Sequence, residues 1–365
     1  MTPVVALAGP QMLGIAIVVA TLVGWAVYGL VVLGRPERPP GSEITDAPNR
    51  KPYLGDDELE GPKLDRVLKW CFYTTAFIAI ALPVYWLNEP NRQAGAERGF
   101  EKRSIQRGAE LFQSTSAPVP PGHIAAGCAD CHGAGGVGGG VSYVLQDPVD
   151  PTRVIPVTWE APSLNDVMYR FSPDEVRRIL EYGRPGTPMP AWGVNGGGAL
   201  GDQQLDDLVN YLISIQISPK EVLAKSAKVA TGTNPGDGKK LFDAFCARCH
   251  TLGWSYRDSY KEPTAKDGGG AFGPNLRDGD TLRQFPTEQA HIDFITLGSD
   301  ANKPYGRRGI GTGRMPGFGV DPATATASEK PQCVGGVNAH CTTYRFGPVL
   351  TKQQIRAIVE YERSL

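Results

Sequence analysis

The sequence predicts a mainly α-helical protein, in which two N-terminal transmembrane helices are followed by two small helical domains. Two long apolar runs near the N-terminus predict the transmembrane helices. The rest of the chain shows the same order of sequence features twice, which indicates an internal repeat. The content of 45 Gly and 31 Pro in 365 residues favours loop-rich domains over long helical bundles or regular sheets.

The first apolar run covers residues 12–33 and contains no charged side chain. At about 1.5 Å of rise per residue, the run is long enough to cross a hydrocarbon core of about 30 Å. A cleaved signal peptide is the alternative, but such a peptide begins with basic residues and has a shorter apolar part. The sequence therefore favours a retained transmembrane helix.

The second apolar run covers residues 70–87, contains Pro83 and ends with Tyr85 and Trp86. Proline kinks a helix, and Tyr and Trp concentrate where a span meets the membrane surface. A buried helix of a globular protein is the alternative, but the run has no polar face at helical spacing. We interpret it as a second, kinked span, which makes residues 1–98 a membrane anchor.

The loop between the two spans, residues 35–69, carries seven Lys or Arg side chains, whereas the segment before the first span carries none. Cytoplasmic loops of membrane proteins are enriched in Lys and Arg. The charge distribution therefore predicts that this loop is cytoplasmic and that everything after the second span lies on the outer side of the cell membrane.

The internal repeat consists of residues 99–217, the first copy, and residues 236–365, the second copy. Each copy has an amphipathic stretch, a C-x-x-C pair followed by His, and a closing amphipathic helix. Residues 218–235, rich in Lys, Ser, Thr and Gly, are interpreted as a linker. The apolar positions that predict these helices are Ile105 to Phe112, Leu205, Leu208, Val209, Leu212, Leu241, Phe242, Phe245, Ile355, Ile358, Val359 and Tyr361.

The two C-x-x-C-H motifs predict two covalently bound haem c groups. Two thiols at this spacing capture both haem vinyl groups as thioethers, and the adjacent His is delivered to the iron. A zinc ribbon is the alternative, but it needs four thiolates or added His in one place, and these pairs lie in separate copies. The predicted attachment residues are Cys128, Cys131 and His132 for the first haem, and Cys246, Cys249 and His250 for the second.

Both copies resemble class I cytochrome c domains over nearly their whole length. In that family, a Pro-x-Leu segment supplies a backbone carbonyl that orients the proximal His, and a Met in a Met-Pro loop is the sixth iron ligand. The resemblance also implies export, because haem attachment takes place outside the cytoplasm. Carried onto this sequence, it implies carbonyl partners Pro162 and Pro274, and iron ligands His132 with Met189 and His250 with Met315.

Few other residues compete for these roles. Met168 lies too near the Pro-x-Leu segment and lacks a following Pro. His123, His291 and His340 are not placed like distal ligands, so we expect structural roles for them. With His and Met on both irons no coordination position stays open, which predicts one-electron transfer rather than catalysis by this chain alone. We identify no catalytic residues in the sequence.

The second copy contains a polar insertion at about 321–347 with Cys333 and Cys341. In an exported protein these two thiols are expected to form a disulfide, with two free thiols as the alternative.

Basic residues just before Met315 are predicted to steer an acidic redox partner towards an exposed haem edge, with a solvated loop as the alternative. These residues are Lys303, Arg307, Arg308 and Arg314.

Two spans followed by two cytochrome c domains resemble the di-haem subunit of cbb-type haem-copper oxidases. The segment from Tyr53 to Leu59, with Pro62 after it, is similar to the inter-span segment of that family, whereas the insertion around Cys333 departs from it. The alternative is a di-haem cytochrome cc subunit of a quinol-oxidising cytochrome bc complex. The implied partners are the bilayer and either an oxidase core or cytochrome b with a Rieske protein, and possible further partners are another cytochrome c or a copper domain. A di-haem peroxidase or haem sensor would need an open iron, and no nucleic acid partner is indicated.

Overall fold

The computed structural model describes residues 9–33, 61–147, 150–319 and 345–365. The chain is mostly helical, which confirms the predicted class. The helices are α1 Gly9–Leu33, α2 Pro62–Phe112, α3 Cys128–His132, α4 Pro173–Tyr182, α5 Asp202–Ser214, α6 Pro219–Val229, α7 Asp237–Phe245, α8 Ala247–His250, α9 Asp280–Gln284, α10 Glu288–Leu297 and α11 Lys352–Ser364. The strands are β1 Gly139–Gln146, β2 Val154–Ala161, β3 Pro304–Tyr305 and β4 Gly309–Ile310. By backbone contacts the chain divides after Arg98.

The N-terminal unit contains α1 and most of α2, which contact each other through Trp25 and Phe72, with ring centroids 5.0 Å apart. Within the described residues, α2 is the helix long and apolar enough to cross a membrane, over Leu64–Phe112, and its apolar window is unburied. The described apolar stretch of α1, Ile15–Val31, is shorter than a full span. The prediction of a membrane span is thus supported by length and composition for one helix.

Helix α2 continues well beyond the predicted span at residues 70–87, and it contains both Pro83 and Pro90. Its last turns form the first element of the first copy, where Leu111 and Phe112 are buried. The polar stretch of residues 88–104 has no apolar periodicity, so the sequence pattern did not indicate that the second predicted span continues as one helix to Phe112.

The core of the first copy forms where the end of α2 crosses the closing helix α5. A Cβ added at Gly108 would lie 2.0 Å from the carbonyl oxygen of Asp207, so only glycine permits this approach. Helix α4 begins at a capping box formed by Ser172 and Glu175. The buried apolar residues are Leu111, Phe112, Val167, Met168, Phe171, Val176, Leu180, Leu200, Leu205, Leu208, Val209 and Leu212.

An antiparallel hairpin, β1 with β2, lies between the first C-x-x-C-H motif and Pro162. The prediction of a small helical domain with long loops did not include this hairpin. Strand β2 alternates outward residues with buried Ile155, Val157 and Trp159, and these pack with Tyr256 of the second copy. The alternation of residues in β2 is typical of a strand. The side chains that cover its apolar face belong to a distant part of the chain.

The segment interpreted as a linker forms helix α6, which begins at a capping box of Ser218 and Glu221. Val222 and Ser226 of this helix are buried, and Val222 belongs to the core of the second copy. The connection between the copies is therefore a packed helix.

The second copy repeats the crossing of its first and last helices, α7 and α11. A Cβ added at Gly238 would lie 2.1 Å from the carbonyl oxygen of Ala357. The buried apolar residues of this core are Val222, Ala230, Leu241, Phe242, Cys246, Ala247, Ile295, Phe318, Val349, Leu350, Ile355, Ile358 and Val359, together with Tyr169 of the first copy.

The two copies share contacts and belong to one unit, Gly99–Leu365. The backbone N–H of Phe346, in the second copy, donates to the carbonyl of Met168 at 2.8 Å. The Phe346 side chain packs against the cores of both copies. The side chain of Tyr169, from the first copy, lies in the core of the second copy, and its phenol donates to the carbonyl of Ile217 of the first copy at 2.7 Å.

Several sequence predictions lie outside the described residues. They are the charged loop up to residue 60, including Tyr53 to Leu59, and the insertion with Cys333, His340 and Cys341.

Candidate haem sites

The first C-x-x-C-H motif forms the short helix α3, which carries Cys128 and Cys131 and ends at His132. The Nδ1 atom of His132 lies 2.9 Å from the carbonyl oxygen of Pro162. A carbonyl oxygen only accepts hydrogen bonds, so Nδ1 carries the proton and Nε2 keeps its lone pair for a metal. Burial lowers the pKa of His132, which favours the neutral imidazole that a metal needs.

The second motif has the same arrangement, with Cys246 before helix α8 and His250 at its end. The Nδ1 atom of His250 lies 3.0 Å from the carbonyl oxygen of Pro274. In both copies the Leu of the Pro-x-Leu segment donates its N–H to a glycine carbonyl at 2.7 Å, Leu164 to Gly136 and Leu276 to Gly268. The two proximal histidines are therefore held by matching backbone contacts.

The Met-Pro loops also match each other. Helix α4 ends at Gly183 with φ of 69°, and α10 ends at Gly298 with φ of 82°, a backbone conformation that favours glycine. The next residue then donates its N–H to the methionine carbonyl, at 3.0 Å from Arg184 to Met189 and at 3.0 Å from Ser299 to Met315.

Each methionine packs against the core of its own copy, as does that copy's first Cys. Met189 and Cys128 pack against the first core, and Met315 packs against the second, which contains buried Cys246. Burial raises the pKa of Cys128 to about 12 and the pKa of Cys246 well above its usual value. In the part of the chain that the structure describes, His, Cys, Asp and Glu side chains form no group of three or more able to hold a metal ion.

Partly buried cations test whether these sites suit a haem, which carries two propionate groups. Burial lowers the pKa of Arg184, Arg248 and Arg345, and within the described ranges none of the three has a carboxylate at salt-bridge distance. Trp254 Nε1 and Arg345 Nη1 are buried donors without a partner in the described structure. Buried donors and cations normally have partners, and acidic groups of a bound haem would provide them. The residues therefore fit the group.

Residues 120–212 match the family described as cytochrome c oxidase, cbb3-type, subunit III. The matched range includes His132, Pro162 and Met189, and it supports a cytochrome c domain in the first copy with covalently bound haem c. No curated protein and no solved structure matches the chain.

Other His and Met side chains of the two copies form contacts that point to structural roles. His123 Nδ1 contacts the carboxylate of Glu110. His291 is buried on α10, stacks on Phe285 with centroids 4.8 Å apart, and places Nε2 at 2.9 Å from Glu362 Oε2. Met168 is fully buried in the first core.

The predicted docking residues surround the hairpin of β3 and β4 in the second copy. Their side chains are exposed, and Lys303 pairs with Asp300 at 2.7 Å. Arg307 and Arg308 occupy the turn between the two strands, and Arg314 precedes Met315. The structure leaves all four accessible to a partner.

Sequence reasoning missed Arg184, Arg248 and Trp254. Arg248 stands inside the second C-x-x-C-H motif, so its position next to a haem could have been noted. No sequence pattern indicates that Arg248 contacts Glu160 of the first copy, because this contact depends on the hairpin of β1 and β2.

Proposed function

We propose that the chain is a membrane-anchored di-haem electron-transfer subunit of a respiratory complex. The observation that carries the proposal is the matched geometry of the two motifs. His132 and His250 contact Pro162 and Pro274 carbonyls at 2.9 and 3.0 Å, and both Met loops close with the same backbone hydrogen bond. Because the second copy repeats these contacts of the first, it is proposed to bind a haem in the same way.

In this proposal the cysteines of each motif bind haem as thioethers, and the carbonyls of Pro162 and Pro274 orient the proximal histidines. His132 with Met189, and His250 with Met315, are the proposed iron ligands. The bound haem would supply a reversible one-electron iron couple. Two protein ligands per iron leave no position for a substrate, so the chain is proposed to transfer electrons and not to catalyse a reaction alone.

The proposal includes two membrane spans, α1 and the apolar part of α2, with both copies on the outer side of the cell membrane. Large apolar side chains exposed on these helices support it, among them Leu30 with 73% of its surface exposed and Phe77 with 71%. Deleting residues 1–98 should give a haem-containing protein that stays in solution without detergent. A fragment that still needs detergent would contradict the anchor assignment.

Haem content tests the central proposal. The chain is expressed in a host that exports it and attaches haem c, and haem is measured per chain by the pyridine haemochrome spectrum. We expect two haems, both six-coordinate and low-spin in the reduced spectrum. Mass spectrometry of protease fragments should find one haem on the peptide with Cys128 and Cys131 and one on the peptide with Cys246 and Cys249. One haem per chain, or a high-spin haem, would contradict the proposal.

The choice of complex rests on a family match. The match of residues 120–212 to cbb3-type cytochrome c oxidase subunit III supports a haem-copper oxidase as the electron acceptor. Purification in mild detergent should then recover the chain with a copper-containing oxidase subunit. Recovery with cytochrome b and a Rieske protein would instead identify the cytochrome cc subunit of a bc complex.

A further inference from the structure

Arg248 connects the second haem motif to the first copy. It lies between Cys246 and Cys249, and its Nη1 donates to the backbone carbonyl of Glu160 at 2.6 Å. Its guanidinium also stacks on Trp254, with the central carbon 4.6 Å from the ring centroid. The hydrogen bond and the ring together fix where this charge lies.

The acceptor belongs to the segment that holds the first proximal histidine. Glu160 is near the end of β2, and Pro162, two residues later, accepts the hydrogen bond from His132 Nδ1. Two residues of extended chain span at most about 7 Å, so the guanidinium lies close to the first haem site although it belongs to the second motif.

Arg248 forms no salt bridge. It is partly buried, and no carboxylate among the described residues lies within salt-bridge distance of it, although the more distant Glu160 carboxylate partly offsets its charge. Arg170, the other cation whose charge acts on His132, is paired with Asp166 at 2.9 Å. A partly buried charge outside any salt bridge acts more strongly over several ångströms than a fully exposed or paired one.

We propose that Arg248, a residue of the second haem motif, raises the reduction potential of the first haem through its positive charge. The inference rests on the proposed binding of two haems. Reducing a ferric haem removes one positive charge from the site, so a fixed cation beside it favours the reduced state. The first haem is thereby made a better electron acceptor by a residue of the neighbouring haem motif.

The test uses the full chain in detergent, in a Met315→His background. His in place of the proposed Met ligand lowers the potential of the second haem, so that the higher titration step reports the first haem. Arg248→Gln removes the charge and keeps a hydrogen-bond donor, and Arg248→Lys keeps the charge. The matched control is Arg257→Gln, because Arg257 also stacks on Trp254, at 4.7 Å, but is exposed.

We expect Arg248→Gln to shift the reduction equilibrium of the first haem three- to tenfold towards the oxidised state. This corresponds to about 30 to 60 mV, since tenfold is about 59 mV for one electron. Arg248→Lys should shift it much less, and Arg257→Gln should leave it unchanged. Without Met315→His, the sum of the two midpoint potentials should fall in Arg248→Gln only, a measurement that needs no assignment of the steps.

An Arg248→Gln shift no larger than that of Arg257→Gln would overturn the inference, as would equal shifts in Arg248→Gln and Arg248→Lys. If Arg248→Gln fails to load both haems, Arg248→Met, which keeps the stem on Trp254, replaces it in the same comparison. Haem content of the parent chain is measured first. Fewer than two haems there would refute the di-haem proposal itself, which is a different result from an unshifted potential in a chain with two haems.

Discussion

Where the first and last helices of each copy cross, the first copy has Asp207 and the second has Ala357. A Cβ added at Gly108 would lie 2.0 Å from the Asp207 carbonyl oxygen, and one added at Gly238 would lie 2.1 Å from that of Ala357. Asp207 and Ala357 are each followed four residues later by a tyrosine. The Asp207 carboxylate accepts hydrogen bonds from the side chains of Ser104, Arg107 and Gln203. The backbone of the crossing is thus common to both copies, whereas the carboxylate network centred on Asp207 has no counterpart at Ala357.

The copies also differ in what lies between the common contacts. The first copy places the hairpin of β1 and β2 after its C-x-x-C-H motif, and the second places the short hairpin of β3 and β4 before its Met loop. The first hairpin packs against the second copy, whereas Arg307 and Arg308 in the second hairpin are exposed. The first hairpin joins the two copies to each other, and the second hairpin is exposed.

Removing the cysteines of one motif is expected to have the largest effect and to be equivalent in the two copies. Cys128→Ala with Cys131→Ala should lose the first haem, and Cys246→Ala with Cys249→Ala the second, because each pair is proposed to hold its own haem. Haem absorbance per chain should fall to about half in each case. If one pair of substitutions removes both haems, the sites are not equivalent.

Filling the helix crossings should destabilise both copies. Gly108→Ala and Gly238→Ala would each place a methyl group against a backbone carbonyl, at 2.0 and 2.1 Å. We expect each to lower the free energy of unfolding by about 3 kcal/mol, measured by denaturant unfolding followed by circular dichroism. Gly95→Ala, on α2 in open space, is the control and should cause no loss. A clear effect at one crossing only would show that the crossings differ.

Asp207→Ala makes the first crossing resemble the second at this position. It leaves Arg107 and Ser104 without the carboxylate that they contact at 2.7 and 2.6 Å. Because Asp207 is buried but Arg107 is partly exposed, we expect a loss of about 2 kcal/mol in the same unfolding measurement. Asp206→Ala removes a half-exposed partner of Arg177 and should cost under about 1 kcal/mol. Equal losses of unfolding free energy in Asp207→Ala and Asp206→Ala would show that the buried network around Asp207 contributes no more stability than an exposed ion pair.

The smallest effect is expected from the outward hairpin. Arg307→Gln with Arg308→Gln should leave stability unchanged and should slow oxidation or reduction by a small anionic redox reagent several-fold at low salt. The rate with an uncharged reagent should not change. Lys228→Gln, an exposed site on α6, is the control. Equal slowing by the control would mean that net charge, and not the hairpin, governs the rate.

The sequence predicted those parts of the fold and of the candidate sites that depend on local patterns. The closing helices were predicted because Leu205, Leu208 and Leu212, and likewise Ile355 and Ile358, repeat at helical spacing. The roles of His132 and Met189 were carried over from motifs that occur within a few residues of chain. Their function as ligands stays a prediction until haem is measured.

The remaining features depend on contacts between distant residues. Trp159 stands in an ordinary strand pattern, but its partners Tyr256 and Phe272 lie in the other copy. The hydrogen bond from Arg248 to Glu160 joins residues that are 88 positions apart. Periodicity along a sequence carries no information on such pairs.

The contacts of Phe346 have a consequence for biosynthesis. Phe346, which packs against the core of the first copy and donates to Met168, follows the whole of the first copy along the chain and is therefore made after it. We therefore expect the first copy to stay partly open while the rest of the chain emerges. An apoprotein that closes late leaves time for the haem-attaching machinery to reach both cysteines of the first motif.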